Sequence, residues 1–473
     1  MSQTVRTRFA PSPTGFMHVG NLRTGLFAWL VARQAGGQFI LRLEDTDKKR
    51  EVEGSAEHVL RCLKELGLTY DEGPDIGGPY APYKQSERLD TYKMWAQKLI
   101  DAGRAYADPY TAEELDAFRE QAKAEKRAFL YRDHRPENPA PWDGTTPLRF
   151  KSDPKAYTWH DEVMGDLSTG PEVIDDFVLI KSDGYPTYNF AHIVDDADMK
   201  VTHVIRGQEF IPSQPNYLNL YEALGLERPI FATMPHILAE SGQKKLGKRD
   251  GAKDILEYLK EGYLPETMLN FIASLGWNDG TEQEIFTVDE LVTKFSLDRV
   301  QRSGARFDEK RLEWMNGQHI RQLSLDALAA HAEPFWPESA TDEARKRQVL
   351  DAVKDRLKTL ADLPILTDYF FRDPQPDWSI VEQNGQLGKI DRAELISLLQ
   401  TSRDVLADSD FSADALQETL NSLLETTGSK PGILFSLIRL AVSWAPFSPA
   451  LNETLAVLGK DTVLRRIDAA TAS

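Results

Sequence analysis

Near the start of the chain, Pro11-Ser-Pro-Thr-Gly-Phe-Met-His18-Val-Gly20-Asn21 sets an imidazole and two glycines in one loop, and far downstream Lys245-Leu-Gly-Lys248-Arg249 gathers cations on a short polar stretch. A lone loop histidine is more often surface or packing than ligand contact. Here, however, it precedes a helix start by one or two residues, where orphan N–H groups and the helix dipole favour an anion, and Gly20 lets a phosphate approach the backbone. An imidazole so placed can hydrogen-bond phosphate oxygens as charge develops on them. The two stretches could hold a triphosphate from two sides, so nucleotide chemistry is the first reading.

The second stretch must be told apart from a P-loop. Gly242-Gln-Lys-Lys-Leu-Gly247-Lys248 fits the first seven positions of that pattern, but Arg249 stands where Ser or Thr would bind magnesium. It also follows a Pro-containing stretch instead of the opening strand of a βα unit, so a Walker A loop is rejected. A solvated basic loop is the plain alternative. The functional one has Lys244, Lys245, Lys248 and Arg249 closing over a pyrophosphate, with Gly242, Gly247 and Gly251 supplying freedom.

The elements that must carry these groups follow from periodicity. Val5 to Ala10 reads as a strand, about Gly20 to Ala35 as a helix with Leu22, Leu26, Leu30 and Arg33 on one stripe, and Phe39 to Leu43 as a second strand after Gly36-Gly37. A βαβ unit of this kind is parallel and places the Pro11–Gly20 loop at a strand's carboxyl end, where open α/β sheets bind ligands. A helix follows over about Ser55 to Leu66, then a Gly/Pro-rich stretch at Gly73–Tyr83. Amphipathic segments come next, at Glu87–Gly103 and Ala112–Lys126, then short strand-like runs near Leu148–Lys151 and Phe177–Lys181. The α/β pattern resumes at Val201–Arg206 and Ile230–Met234, so an α+β insertion splits the nucleotide fold. From about Lys253 onward Pro265–Leu275, Asp308–Met315, Thr341–Leu360, Arg392–Leu406, Ala413–Leu424 and Thr454–Ile467 read as helices. No internal repeat or long low-complexity tract is present.

The length of 473 residues suggests two to four domains, and 41% hydrophobic with 27% charged residues is ordinary for a globular protein with a large core. The first residues lack an apolar signal region, and no run approaches the roughly 18 apolar residues of a spanning helix; the chain reads as soluble and cytoplasmic, with no membrane partner. Its one cysteine, Cys62, lies among Val59, Leu60, Leu63 and Leu66 at helical spacing, which excludes intrachain disulfides and multi-cysteine zinc sites and suggests an inert buried thiol. The sequon at Asn452 has no secretory context and reads as a chance match. A net charge of -18 would repel a polyanion overall, so any nucleic-acid role must use local basic faces.

Together the two stretches resemble the HIGH and KMSKR signatures of class I aminoacyl-tRNA synthetases. Arg8-Phe-Ala-Pro-Ser-Pro-Thr-Gly15, Leu43-Glu44-Asp45-Thr-Asp47, Ser182-Asp-Gly-Tyr-Pro-Thr-Tyr188, Val194-Asp-Asp196 and Trp314-Met-Asn-Gly317 are similar to bacterial glutamyl-tRNA synthetases over essentially the whole chain. The resemblance implies an α/β Rossmann-like catalytic domain split by an α+β insertion and followed by all-α helical domains, a multidomain and elongated arrangement. The boundaries would be 1–84 and 191–252 for the catalytic domain, 85–190 for an inserted acceptor-stem-binding domain, 253–325 for a mainly helical stem-contact domain and 326–473 for a helical anticodon-binding region. It implies a glutamate pocket of Arg8, Ser12, Glu44, Tyr188, His192 and Arg206, and an ATP site of His18, Gly20, Glu209, Leu238 and Lys248. Guanidinium groups suit an acidic side chain, and a carboxylate at Glu44 suits an ammonium group. Without the resemblance, Glu44 and Asp45 could instead cap or pair at a strand end, and Arg206 could be structural. Tyr188 and His192, four apart, share a face if that stretch is helical.

The implied reaction is ATP-dependent ligation of L-glutamate to tRNA-Glu through glutamyl-adenylate, with Mg²⁺ accompanying ATP and activation generally requiring bound tRNA. His18, Lys245 and Lys248 would be its catalytic groups. Arg356 and Arg439 match arginines that relatives place on the anticodon, the first associated with rejecting tRNA-Gln, which points to a discriminating enzyme; a monomer is expected. A non-discriminating enzyme is the alternative. As bare helical residues both arginines would ordinarily be solvated. Gly247 replaces a common serine, and His192 stands where some relatives have asparagine or an apolar residue. Relatives with structural zinc hold it through cysteines in the insertion, which here has none, so no metal is expected there. Two rivals are a small-molecule adenylyltransferase, which leaves the helical half without a purpose, and an inactive tRNA-binding relative, which would lack the signatures.

Overall fold

The parallel pairing of β1 (Arg6–Phe9) with β2 (Gln38–Leu41), joined by α1 (Val19–Gln34), realises the expected βαβ unit, with Arg6 opposite Gln38 and Phe9 opposite Leu41. The computed structural model describes residues 4–247, 253–445 and 448–473. At Gly37 an added Cβ would lie 2.1 Å from the Val5 carbonyl oxygen, the atom that accepts the Gln38 N–H at 2.9 Å, so only glycine lets the second strand start there. Helix α1 buries Leu22, Leu26 and Leu30 and also Phe27, Ala28 and Trp29. It is a core helix and not a one-striped surface helix.

After α2 (Ser55–Glu65) the insertion begins with α3 (Leu89–Asp101), β3 (Ala105–Ala107), α4 (Ala112–Ala124) and β4 (Leu148–Phe150). A capping box between Thr111 and Glu114 starts α4. The chain continues through β5 (Tyr157–Asp161), β6 (Gly165–Thr169) and β7 (Val178–Ile180) to α5 (Tyr188–Asp198), β8 (His203–Gly207), α6 (Gln214–Ala223) and β9 (Ile230–Met234). Strands β3, β4 and β7 form an antiparallel sheet of the insertion's own. The β5–β6 hairpin goes elsewhere: β5 runs parallel to β9, which is parallel to β8, in the order β6-β5-β9-β8. Asp161 fixes this join by accepting the Thr233 N–H at 3.0 Å and the Thr233 hydroxyl at 2.6 Å. Neither β5 nor β6 was expected, because their alternation puts mostly exposed polar groups on one face and leaves little apolar signal. Strand β8 lies beside β1, since the Thr202 N–H donates to the Arg6 carbonyl at 2.9 Å.

Beyond β10 (Ile237–Leu238) come α7 (Ile255–Lys260), α8 (Pro265–Ser274), α9 (Val288–Lys294) and β11 (Ala305–Arg306), which pairs with β10. The rest is helical: α10 (Glu309–Gln322), α11 (Leu325–Ala332), α12 (Glu343–Val353), α13 (Leu363–Phe371), α14 (Trp378–Gln383), α15 (Arg392–Ala407), α16 (Ala413–Thr427), α17 (Pro431–Ser443), α18 (Leu451–Leu458) and α19 (Lys460–Ala472). Three helical readings are corrected. The segment 308–315 extends to Gln322; 341–360 is α12 followed by 3-10 turns at Lys354–Arg356 and Leu360–Asp362; and 454–467 is two helices broken at Gly459, whose φ is +80°. Helices α11, α13, α14 and α17 were not anticipated.

The chain divides into two compact units, 1–257 with 268–308 and 258–267 with 309–473, so the stretch 253–325 is shared between them. The first has a core that includes Phe150, Phe190, Ile193 and Leu218, and the second one that includes Leu350, Leu399, Leu437 and Ile467. Among the described residues no helix is long and apolar enough to cross a membrane.

Candidate active site

Three carboxyl-terminal strand ends and the start of α1 surround a cavity of about 310 Å³ in the first unit. Strand β1 contributes Arg8 and leads into Pro11, Ser12 and Thr14; β8 contributes Arg206 and Gly207; β9 leads from Met234 to Pro235 and His236. His18 caps α1, its Nδ1 accepting the Gly20 N–H at 3.1 Å. A Cβ at Gly20 would come within 3.0 Å of that imidazole, so a side chain there would displace it.

Of the expected residues, Arg8, Ser12, His18, Gly20, Glu44, Tyr188, Arg206, Glu209 and Lys245 all line this cavity. Lys245 Nζ stands 3.8 Å from the Glu209 carboxylate, so the second cationic stretch does reach the His18 cavity. Leu238 lies on β10; its neighbour Ile237 lines the cavity and Leu238 does not. Lys248 and Arg249 lie outside the described residues.

Around the base of the cavity charges are paired in a chain. Arg8 donates Nε to Asp196 at 3.1 Å and Nη1 to the Ile205 carbonyl at 3.2 Å. Arg42, fully buried, donates to the same Asp196 at 2.8 Å and to Glu44 at 2.9 Å. Asp195, next in sequence, accepts from Gln85, Arg88 and Tyr92 and so ties α5 to the start of the insertion. Burial is the largest influence on both acids, but the outcomes differ. It lifts the Glu44 carboxyl to about 7 against the pull of Arg42, whereas Arg8 and Arg42 together overcome it at Asp196 and hold that group down at about 2.

Arg206 is treated differently from its neighbours. It is 6% exposed, sits 5.0 Å from the Tyr217 ring centroid and 5.3 Å from that of Phe210, and its buried Nη2 has no hydrogen-bond partner. A buried guanidinium held by aromatic faces with donors left over has the chemistry to bind a carboxylate. His192 shares the helical face of Tyr188, as the four-residue spacing required, with ring centroids 4.7 Å apart. Its Nδ1–H donates to the Tyr188 carbonyl at 2.7 Å. Burial, with the Arg206 charge adding to it, pushes the imidazole down to about 3, so it is neutral near pH 7 and leaves Nε2 as an acceptor. His192 supports the pocket from behind and is not among the cavity-lining groups.

Sequence reasoning missed Arg42 and Arg23. The signal for Arg42 was a cation two residues before Glu44, on the same face at the end of an otherwise apolar strand. Arg23, on the first turns of α1, lines the cavity and binds the Leu275 and Pro235 carbonyls. Burial brings it down to about 10.

In the second unit Arg356 is exposed on its 3-10 turn and Arg439 is half-buried on α17, donating to Ser448 Oγ at 2.6 Å. Burial lowers the Arg439 pKa, and the nearby Arg356 charge pushes it the same way. Half-buried and bonded to Ser448, Arg439 is not the freely solvated charge its position on a helix would suggest.

Within the insertion, buried polar pairs hold the small sheet: Tyr106, Arg135 and Ser152 converge on Asp176, and Tyr131 and Arg149 on Asp108. Among the described residues one group of side chains could hold a metal ion, His58, Cys62 and Asp254, which lies outside the insertion and does not line the cavity.

Residues 4–314 match the family described as tRNA synthetases class I (E and Q), catalytic domain, and residues 327–471 match an anticodon binding domain. The chain is 40% identical to a glutamate–tRNA ligase of Clostridium botulinum, over 99% of this chain and 98% of that one. It is also 40% identical to a glutamate–tRNA ligase of Moorella thermoacetica, over 98% of each. It superposes with a TM-score of 0.90, at 33% identity and over 100% of both chains, on the crystal structure of a glutamate tRNA ligase from Elizabethkingia meningosepticum in complex with its amino acid.

Proposed function

The chain belongs to the class I tRNA synthetases of the glutamate and glutamine group, and from that membership we propose that it is a glutamate–tRNA ligase acting through the cavity between His18 and Arg206. The observation that carries this reading is the Arg206 guanidinium, buried among aromatic rings with Nη2 unpaired. It would take the substrate's side-chain carboxylate, with Arg8 close by. Glu44, which also lines the cavity, would take the ammonium group. Tyr188 and Ser12 complete the pocket, and His192, neutral and fixed by its bond to the Tyr188 carbonyl, holds Tyr188 in place.

So oriented, the substrate's α-carboxylate attacks the α-phosphorus of ATP in line. A new carboxylate–phosphate bond forms as the bond to the bridging oxygen breaks, giving glutamyl-adenylate and pyrophosphate. In the second step the terminal ribose hydroxyl of tRNA attacks the activated carbonyl, loses its proton and displaces AMP. Both steps are problems of positioning and charge stabilisation. His18 and the N–H groups at the start of α1 would meet the phosphate charge, Lys245 and Lys248 would meet it from the other side, and Gly20, Glu209 and the Leu238 segment would hold the nucleoside. Among the described residues the cavity offers only Glu44, already paired with Arg42, and Glu209 as acidic ligands. These two do not make a carboxylate cage for magnesium, and Mg²⁺ would arrive on the ATP phosphates.

The insertion would grip the acceptor end of the tRNA. In the helical unit the Arg356–Arg439 neighbourhood would read the anticodon and discriminate against tRNA-Gln. The enzyme would work as a cytoplasmic monomer without structural zinc.

ATP–pyrophosphate exchange with glutamate, run with and without tRNA and followed by charging of purified tRNA-Glu and tRNA-Gln, tests the proposal. Glutamate-dependent exchange and charging of tRNA-Glu alone are expected. Exchange driven by a different acid in the absence of tRNA would replace this reading with small-molecule adenylyl transfer, and equal charging of both tRNAs would remove the discrimination.

A further inference from the structure

One polar contact outside the cavity ties together the two segments that follow its signatures. His58, on α2, stacks against Phe16 with ring centroids 4.7 Å apart. Its Nδ1 accepts the Met17 N–H at 3.4 Å, and its Nε2 lies 2.6 Å from Asp254 Oδ2. A donor facing Nδ1 places the ring proton on Nε2, directed at the carboxylate. Asp254 is itself anchored: its other oxygen accepts the Leu256 N–H at 2.9 Å, and the Ile255 N–H donates to the Met17 carbonyl at 3.1 Å. A bridge between His18 and Asp254 completes the zipper. The backbone on the N-terminal side of His18 is thus held from both sides, by the imidazole of α2 and by the residues that open α7.

Cys62 Sγ lies 3.5 Å from His58 Nδ1, so the same three side chains could be read as metal ligands. The distances argue otherwise. Ligands on a tetrahedral zinc with bonds of roughly 2.0–2.1 Å stand about 3.3 Å apart, whereas 2.6 Å between Nε2 and Oδ2 is a hydrogen bond. Burial also pushes the Cys62 thiol up to about 12, away from the thiolate a metal requires.

We propose that His58 and Asp254 form a positioning pair for His18, setting the backbone at Met17 so that the capping imidazole meets the phosphate in the activation step. The inference rests on the glutamate–tRNA ligase reading, because only phosphate chemistry at His18 makes a small displacement there matter. A misplacement on the order of 1 Å at a reacting group can lower a rate by about 10²-fold, and loss of one of several anchors should produce part of that.

The test is ATP–pyrophosphate exchange with glutamate and tRNA-Glu by the full-length protein and its His58→Ala and His58→Gln variants, with melting temperatures and a zinc titration of the wild type. His58→Ala should lower kcat about tenfold while KM for glutamate stays within twofold. His58→Gln, whose amide carries a donor and an acceptor about as far apart as the ring nitrogens, should recover most of that loss. A His58→Ala kcat within twofold of wild type would overturn the proposal. So would equal losses in both variants matched by equal drops in melting temperature, which would make the role purely structural, or stoichiometric zinc binding that His58→Ala abolishes. If the wild type itself shows no exchange even with tRNA-Glu present, the ligase reading fails instead, which the variants alone could not produce.

Discussion

Arg42 donates to Glu44 at 2.9 Å with both side chains buried, and the same guanidinium reaches Asp196 at 2.8 Å. One arginine therefore sets the position of the carboxylate expected to receive an ammonium group and, through Asp196, the position of Arg8. Removing a partner from a buried ionic network leaves the remaining charges uncompensated, a loss of about 3–5 kcal/mol. Arg42→Met should lower the stability of the catalytic unit by that amount, measured by urea unfolding. A change below about 1 kcal/mol would show that the network is not a structural keystone.

Arg206 should tolerate no conservative exchange. Lysine keeps the charge but loses the planar fork and the stacking against Phe210 and Tyr217. Arg206→Lys is expected to raise KM for glutamate by roughly 10–100-fold, with KM for ATP little changed. Steady-state aminoacylation across glutamate concentration measures this, and a KM within threefold of wild type would take Arg206 out of the pocket.

The raised Glu44 carboxyl has a consequence for pH. With its pKa at about 7 in the substrate-free protein, a proton must leave before the group can pair with an ammonium ion. Glutamate affinity should therefore strengthen as pH rises through about 7 and weaken below it. Isothermal titration from pH 6 to 8 should show proton release on binding, and Glu44→Gln should bind weakly with no such slope. His192, held down at about 3, contributes no titration step in this window. A slope of opposite sign would place the titrating group elsewhere.

His18→Ala removes the donor nearest the start of α1. Loss of one preorganised donor commonly lowers kcat by about 10²-fold or more, and this variant should show that loss with its fold intact by circular dichroism. Unchanged single-turnover rates would end the case for His18 in catalysis.

The local elements were legible in the residues. The Pro/Gly loop, the glycine pair behind α1 and the apolar periodicities at 230–234 and 392–406 each act within a few residues of themselves, so spacing alone located β1, α1, β9 and α15. The groups around the cavity were named from the resemblance and from side-chain chemistry that suits an acid and a phosphate. The β5–β6 hairpin, the Gly459 break and the pairing of His58 with Asp254 were not legible. Each depends on a partner far away in sequence or on a backbone angle that no periodicity encodes.

What the sequence determined by itself was the supply of chemistry: an imidazole beside a helix start, a cationic stretch, and arginines with carboxylates near strand ends. What only the tertiary structure decided was which charges neutralise one another and which stay available. Arg8, Arg42 and Arg206 carry the same charge, yet Asp196 and Glu44 hold the first two while aromatic faces surround the third. The physical reason is desolvation. Once the strands pack, every buried charge must find its counter-ion among whatever the fold brings within a few ångströms, and the one held by aromatic faces in place of a carboxylate marks where a ligand belongs.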